Sequence, residues 1–133
     1  DQVQKLVVES VGQVRRADRL QQALEKLDQL EAGFSGIGVS GETVRERFDC
    51  LRLSIETRNL IQVARMLATA ALMREESRGG HFRLDFPERD DGRFLANIML
   101  RNEDGKVCGE LRPVPGLEAA VSPAGASAVA AAA

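Results

Sequence analysis

Apolar side chains recur along this chain at helical spacing in three successive stretches. Val3, Leu6, Val7, Val11 and Val14 fall three and four residues apart and predict a first amphipathic helix, with Gly12 its weak point. Leu20, Ala23, Leu24, Leu27 and Leu30 put one apolar face on a second helix, which Asp18 and Gln21 would open as a capping box and Gly33 would end. A second capping box, Thr43 with Glu46, opens a third stretch that reads as helix to Ser77. It carries Val44, Phe48, Leu51 and Ile55 on one face, then Leu60, Val63, Ala64, Leu67 and Ala71. Unbroken, that helix would be about 50 Å long at 1.5 Å per residue, which predicts a bend or a protruding end. Gln62, Arg65 and Thr69 interrupt its apolar half at i, i+3 and i+7. They form a single polar stripe on a buried helix and argue against a membrane span.

Beyond the third helix the period changes. Gly79-Gly80 predicts a helix stop, after which His81, Arg83 and Asp85 alternate with Phe82, Leu84 and Phe86. The expectation is an extended arm with one ionic and one oily face. Phe94, Ala96, Ile98 and Leu100 line one face of a strand, and Asp104-Gly105 marks the turn of a hairpin returning through Val107 to Leu111. Two strands alone are marginal in water, so the hairpin is expected to pack on the helices. Pro113 and Pro115 end regular structure, and from Gly116 onward almost no bulky side chains remain. The predicted fold is mainly α: a three-helix, bundle-like domain with a C-terminal β-hairpin over residues 1–114, then a disordered Ala/Gly/Pro-rich tail over 115–133.

Composition narrows the function classes. The 133 residues suffice for one core and are too few for a dinucleotide fold plus a catalytic lobe. Eighteen basic against twenty acidic side chains, a net charge of -2, give no electrostatic case for nucleic acid or an anionic membrane. Cys50 and Cys108 are too few for a disulfide scaffold and too isolated for zinc. No signal-like region opens the chain, and the expected compartment is the cytoplasm.

Candidate chemistry concentrates between Arg74 and Asp91, where charge is densest and the only histidine lies. His81 titrates near neutrality without help, but no serine or cysteine stands in a recognisable nucleophile arrangement with it. A structural or docking role is the reading it supports. Arg78, Arg83 and Arg89, beside Glu88, Asp90 and Asp91, permit bidentate ion pairs, either on a solvated surface or against a charged partner. Glu56, Thr57, Arg58 and Asn59 break the apolar pattern of the third helix. They either bond each other and a neighbouring segment or face another domain. Arg15 and Arg16 read as solvated charge in a joint. Gly36 to Gly41 fits G-x-G-x-x-G, yet the segment before it reads as helix rather than strand, and Glu56 is an imperfect acidic partner. The run is read as a helix-helix connection.

Two ordered motifs carry a resemblance. Glu76-Ser77-Arg78-Gly79-Gly80-His81 followed by Asp85-Phe86-Pro87-Glu88-Arg89-Asp90-Asp91, with Glu56-x-Arg58-Asn59-Leu60 and the Val11 to Leu30 pattern upstream, resembles the C-terminal helical domain of the fumarate reductase, succinate dehydrogenase and L-aspartate oxidase flavoproteins. The resemblance covers most of residues 1–114. It implies a piece of an FAD-dependent oxidoreductase whose flavin and substrate sites lie upstream, with no catalytic, cofactor-binding or metal-binding residue in this chain. Glu56, Arg58, Asn59, Arg78, His81, Arg83, Asp85 and Arg89 would then dock the flavin-binding and capping domains of the same polypeptide, and in respiratory members an iron-sulfur subunit lies nearby. The segments Glu56 to Leu60 and Glu75 to Pro87 are slightly more similar to L-aspartate oxidases. Leu95-Ala96-Asn97 stands where respiratory flavoproteins typically carry a Lys-His pair, and that departure also favours the oxidase. A fumarate reductase or succinate dehydrogenase flavoprotein is the alternative, and a freestanding protein-interaction module is the competing class.

Overall fold

The computed structural model describes residues 2–34, 38–118 and 129–130. Helices α1 (Gln2–Ser10), α2 (Ala17–Phe34) and α3 (Val44–Met73) enclose one apolar core. Leu20, Ala23 and Leu27 of α2 meet Ile61, Ala64 and Ala68 of α3, and Val3, Leu6 and Val11 close the third side. The alanines leave α3 nearly bare where α2 crosses it, so the two backbones approach closely and the leucines fill the gap.

Local chemistry moves two predicted boundaries. α1 ends at Ser10 and does not reach Val14. The Val11 amide still bonds the Val7 carbonyl at 2.9 Å, but Gln13 carries the chain outward and Val14–Arg15 becomes a two-residue strand, β1. The predicted Asp18–Gln21 box does not form. Asp18 holds Arg16 at 2.9 Å, and the first free amide of α2, Ala17 N–H, donates instead to Asp85 Oδ2 at 3.0 Å. A carboxylate from sixty-eight residues away, the separation of 17 and 85, caps this helix.

The capping box predicted at the start of α3 is present, with Thr43 Oγ1 accepting from the Glu46 amide and Glu46 reaching back. The protruding end is present as well. Val44 is 83% exposed and Phe48 65%, and Leu51, Leu53 and Ile55 are exposed with them. The stripe of Gln62, Arg65 and Thr69 splits by neighbourhood. Gln62 donates to Glu31, Arg65 pairs with Glu31 at 2.7 Å and with Asp28, whereas Thr69 is buried and its hydroxyl has no partner among the described residues.

After α3 the chain forms β2 (Phe82–Arg83), a single turn α4 (Asp91–Phe94) and the hairpin β3 (Ala96–Glu103) with β4 (Lys106–Pro113). Strand β2 runs parallel to β1, pairing Val14 with Phe82 and Arg15 with Arg83. Phe94 is buried in α4 rather than in the strand, because Asp90 accepts the Arg93 amide and winds one helical turn. Asp104 and Gly105 both have positive φ, 51° and 86°, as a two-residue type I′ turn requires. The hairpin packs on α3 through Gly109, where a Cβ would stand 2.8 Å from Met73 Cε and 3.1 Å from Leu100 Cδ2. The expected G-x-G-x-x-G loop lies partly outside the described residues, at 35–37, as does most of the expected disordered tail, at 119–128 and 131–133. The backbone of β5 (Val129–Ala130) lies antiparallel to β4. Among the described residues no helix is long and apolar enough to cross a membrane.

Candidate functional site

The last turn of α3 exposes carbonyls with no helical partner, and the charged run from Arg74 to Asp91 folds back over them. Arg83 is 1% exposed, and its Nη1 donates to the carbonyls of Ala71 (2.8 Å), Leu72 (3.1 Å) and Arg74 (3.0 Å). Its Nε and Nη2 form a bidentate pair with Asp85 at 2.8 Å each. One guanidinium thus ends the helix, places its positive charge at the negative end of the helix dipole, and holds the carboxylate that caps α2. That is why α3 stops at Met73 and not at Ser77.

The burial of the expected two-faced arm does not divide by polarity. Arg83 points inward, while Phe82 and Leu84 are exposed. A buried arginine with five polar partners costs less than carbonyls left without donors, so here charge outranks hydropathy.

A second centre forms around Glu76, which sequence reasoning passed over. Its carboxylate is fully buried and accepts from Arg74 Nη1 (2.6 Å), Arg78 Nε (2.8 Å), Arg78 Nη2 (3.0 Å) and the Asp90 amide (2.8 Å). Burial raises its pKa, but the bonds from Arg78, Asp90 and Arg74 outweigh it, and the group lies below the ordinary carboxylate range. Arg78 is held above its ordinary value by Glu76 and then by Asp91. Asp91 Oδ1 also accepts from exposed Arg89 at 2.8 Å. Arg74 reaches on to the carbonyls of Phe94 and Ala96 and so ties the hairpin to the helix. The only advance signal for Glu76 was its place between Arg74 and Arg78.

His81 sits half-buried beside these centres. It closes a tight turn with Arg78 over Gly79, whose φ is +58°. Its Nε2 lies 3.1 Å from the Arg74 carbonyl, and its Nδ1 meets the guanidinium of Arg15. Burial lowers its pKa, the Arg74 carbonyl opposes that, and Arg15, Arg83 and Arg74 lower it further. It is neutral at pH 7. Arg15 is therefore not the solvated charge the sequence suggested; burial, then Arg83, lowers its own pKa.

The expected docking residues fall into two groups. Arg78, His81, Arg83, Asp85 and Arg89 gather around the end of α3. Glu56, Arg58 and Asn59 are exposed on its projecting half, about 27 Å up the helix from Arg74 at 1.5 Å per residue. Among the described residues Glu56 pairs along its own helix, with Arg52 at 2.9 Å, and makes no ion pair to a neighbouring segment.

Residues 1–125 match the family described as fumarate reductase flavoprotein C-term. The chain belongs to this family. It is 31% identical over 103 residues to an uncharacterized FAD-dependent oxidoreductase of Methanocaldococcus jannaschii, covering 77% of this chain and 18% of that protein. It is 35% identical over 100 residues to the L-aspartate oxidase of Streptomyces coelicolor, covering 74% of this chain and 17% of that one. An E. coli quinol fumarate reductase structure superposes with a TM-score of 0.74 at 32% identity, covering 82% of this chain and 19% of that one. A member of the fumarate reductase flavoprotein C-terminal family, the chain thus spans less than a fifth of the length of these proteins.

The name implies a flavin, and the described residues do not fit one. A dinucleotide turn needs a strand before it and free amides at the following helix N-terminus. Here α2 precedes the loop, and at α3 the Glu46 carboxylate already accepts the amides of Glu42 (2.9 Å) and Thr43 (3.0 Å). A negative charge occupies the place a pyrophosphate would need.

Proposed function

We propose that this chain is the C-terminal accessory domain of a cytoplasmic FAD-dependent oxidoreductase, and that residues 1–114 form the unit that packs on flavin-binding and capping domains of the same polypeptide. The observation that carries this reading is the projecting half of α3. Val44, Phe48, Leu51 and Ile55 share one exposed face, and Leu53, with half-exposed Val63 and Leu67 below it, another. A helix apolar on more than one face belongs inside a larger structure. Glu56, Arg58 and Asn59 lie among these residues, where they supply polar partners for the same contact.

The finer reading is that the parent is most like L-aspartate oxidase and converts L-aspartate to iminoaspartate, the flavin taking the two electrons. It is supported by Glu56 to Leu60, by Glu75 to Pro87, and by the absence of a Lys-His pair at Leu95-Ala96-Asn97. Anaerobic L-aspartate should bleach the flavin of the full polypeptide. Reoxidation of reduced flavin by fumarate without any bleaching by aspartate would point to the respiratory members instead.

The docking role is tested by incubating the 133-residue chain with FAD, desalting, and recording the visible spectrum alongside circular dichroism. A helical signal without retained flavin is expected; retained flavin would overturn the accessory assignment. In the full polypeptide, Phe48→Ser with Ile55→Ser should lower the thermal midpoint, whereas in the 133-residue chain the pair should change stability by no more than about 0.5 kcal/mol.

A further inference from the structure

Among the arginines around the end of α3, Arg74, Arg78, Arg83, Arg89 and Arg93 each have a carboxylate partner. Arg15 has none among the described residues. Its Nε donates to the Val11 carbonyl at 3.2 Å and its Nη1 meets His81 Nδ1. The charge acting on Arg15 is cationic, Arg83 from β2, and the charges acting on its partner His81 are cationic too: Arg15, Arg83, and Arg74 from the end of α3. The carboxylate on the same arm, Asp85, is spent on Arg83 and the Ala17 amide. Arg15 and His81 are both half-buried and border exposed Gln13, Gly80 and Phe82. A desolvated cation set against other cations is a site lacking its anion.

We propose that Arg15 and His81 form a receiving site for a single carboxylate group. An entering carboxylate takes the Arg15 N–H that Nδ1 now accepts, and Nδ1 is then free to bind a proton from solvent. Arg15 and the imidazolium become two donors to one oxyanion, while Nε2–H keeps its bond to the Arg74 carbonyl. Arg83, held by Asp85 and three carbonyls, adds field without contact. Binding is coupled to proton uptake, so affinity rises as pH falls toward the titration of His81 and the bound anion raises its pKa. The site stands independently of the docking assignment, because it reads only groups of this chain.

His81 is the only histidine, so its imidazole C–H resonances report on the site without labelling. The 133-residue chain is titrated with acetate at pH 6 and pH 8 against chloride at matched ionic strength, then with a capped Gly-Glu-Gly tripeptide. The expected result is a saturable acetate shift, stronger at the lower pH and absent with chloride, with Arg15→Gln weakening it about tenfold or more. Tighter binding of the tripeptide identifies a protein carboxylate as the ligand, and equal or weaker binding a free small carboxylate. No saturable shift beyond chloride overturns the proposal, as does an unchanged titration in Arg15→Gln. Should Arg15→Gln lose its helical circular dichroism, Arg15→Lys retains the charge without the planar fork. Its expected result is a saturable but weakened shift, and affinity equal to the parent chain would remove Arg15 from the site.

Discussion

Arg83 offers the sharpest test of how this domain holds together. Replacing it with alanine removes donors from the carbonyls of Ala71, Leu72 and Arg74 and leaves Asp85 without its bidentate partner. The carbonyls lie at the end of a helix, where water can enter and recover part of the loss, so the separate bonds do not add. Breaking a buried pair costs about 3–5 kcal/mol, against a total stability of about 5–15 kcal/mol for a domain. We therefore expect Arg83→Ala to cost about 4 kcal/mol. With a urea m-value of about 2 kcal/mol/M, the unfolding midpoint followed by circular dichroism should fall by about 2 M at unchanged slope. Arg83→Lys retains charge but not the fork and should recover less than half. A loss below about 1 kcal/mol in Arg83→Ala would refute the argument, since an exposed ion pair alone accounts for that much.

Three further outcomes follow from the same geometry. Glu76 has a folded pKa below its unfolded value, so its stabilisation is full above the ordinary carboxylate pKa and is lost as pH falls through the depressed one; Glu76→Gln should cost about 3 kcal/mol at pH 7 and flatten the loss of stability below about pH 4. His81, with its pKa lowered from 6.5, binds protons more readily in the unfolded chain. Stability should rise with pH through the interval just below 6.5, and urea midpoints at pH 5 and pH 7 should converge in His81→Gln. Gly109→Val should cost about 1–3 kcal/mol by driving into Met73 and Leu100, and Met73→Ala should recover part of it, a coupling that a double-mutant cycle measures.

Features set by neighbouring residues were legible in the sequence. The Thr43–Glu46 box and the Asp104-Gly105 turn each need only a few adjacent side chains, and both stand where they were expected. Features set across the chain were not. The end of α3 depends on Arg83 reaching back to Ala71, and the start of α2 on Asp85, neither of which periodicity can register. Alternation put His81, Arg83 and Asp85 on an ionic face and Phe82, Leu84 and Phe86 on an oily one, yet Arg83 is buried while Phe82, Leu84 and Asp85 are exposed. It failed because the unpaired carbonyls at the helix end demand a donor more strongly than two apolar side chains demand cover. For Val44 to Ile55 the spacing identified a shared face correctly. Spacing alone does not say that this face stays exposed in the folded chain.

The parallel pairing of Val14–Arg15 with Phe82–Arg83 has a topological consequence. It ties the joint after α1 to the arm after α3, so α1–α2 and α3 with its hairpin are held by a buttoned seam as well as by the core. The covalent link at 38–41, exposed throughout, is then the least needed join in the domain. Chain broken there yields two halves that carry matching strands, a shared core, and a cap on one half supplied by a carboxylate on the other. We expect such halves to behave as a split pair that restores the seam without the peptide bond, and separate elution of the two co-expressed halves would count against it.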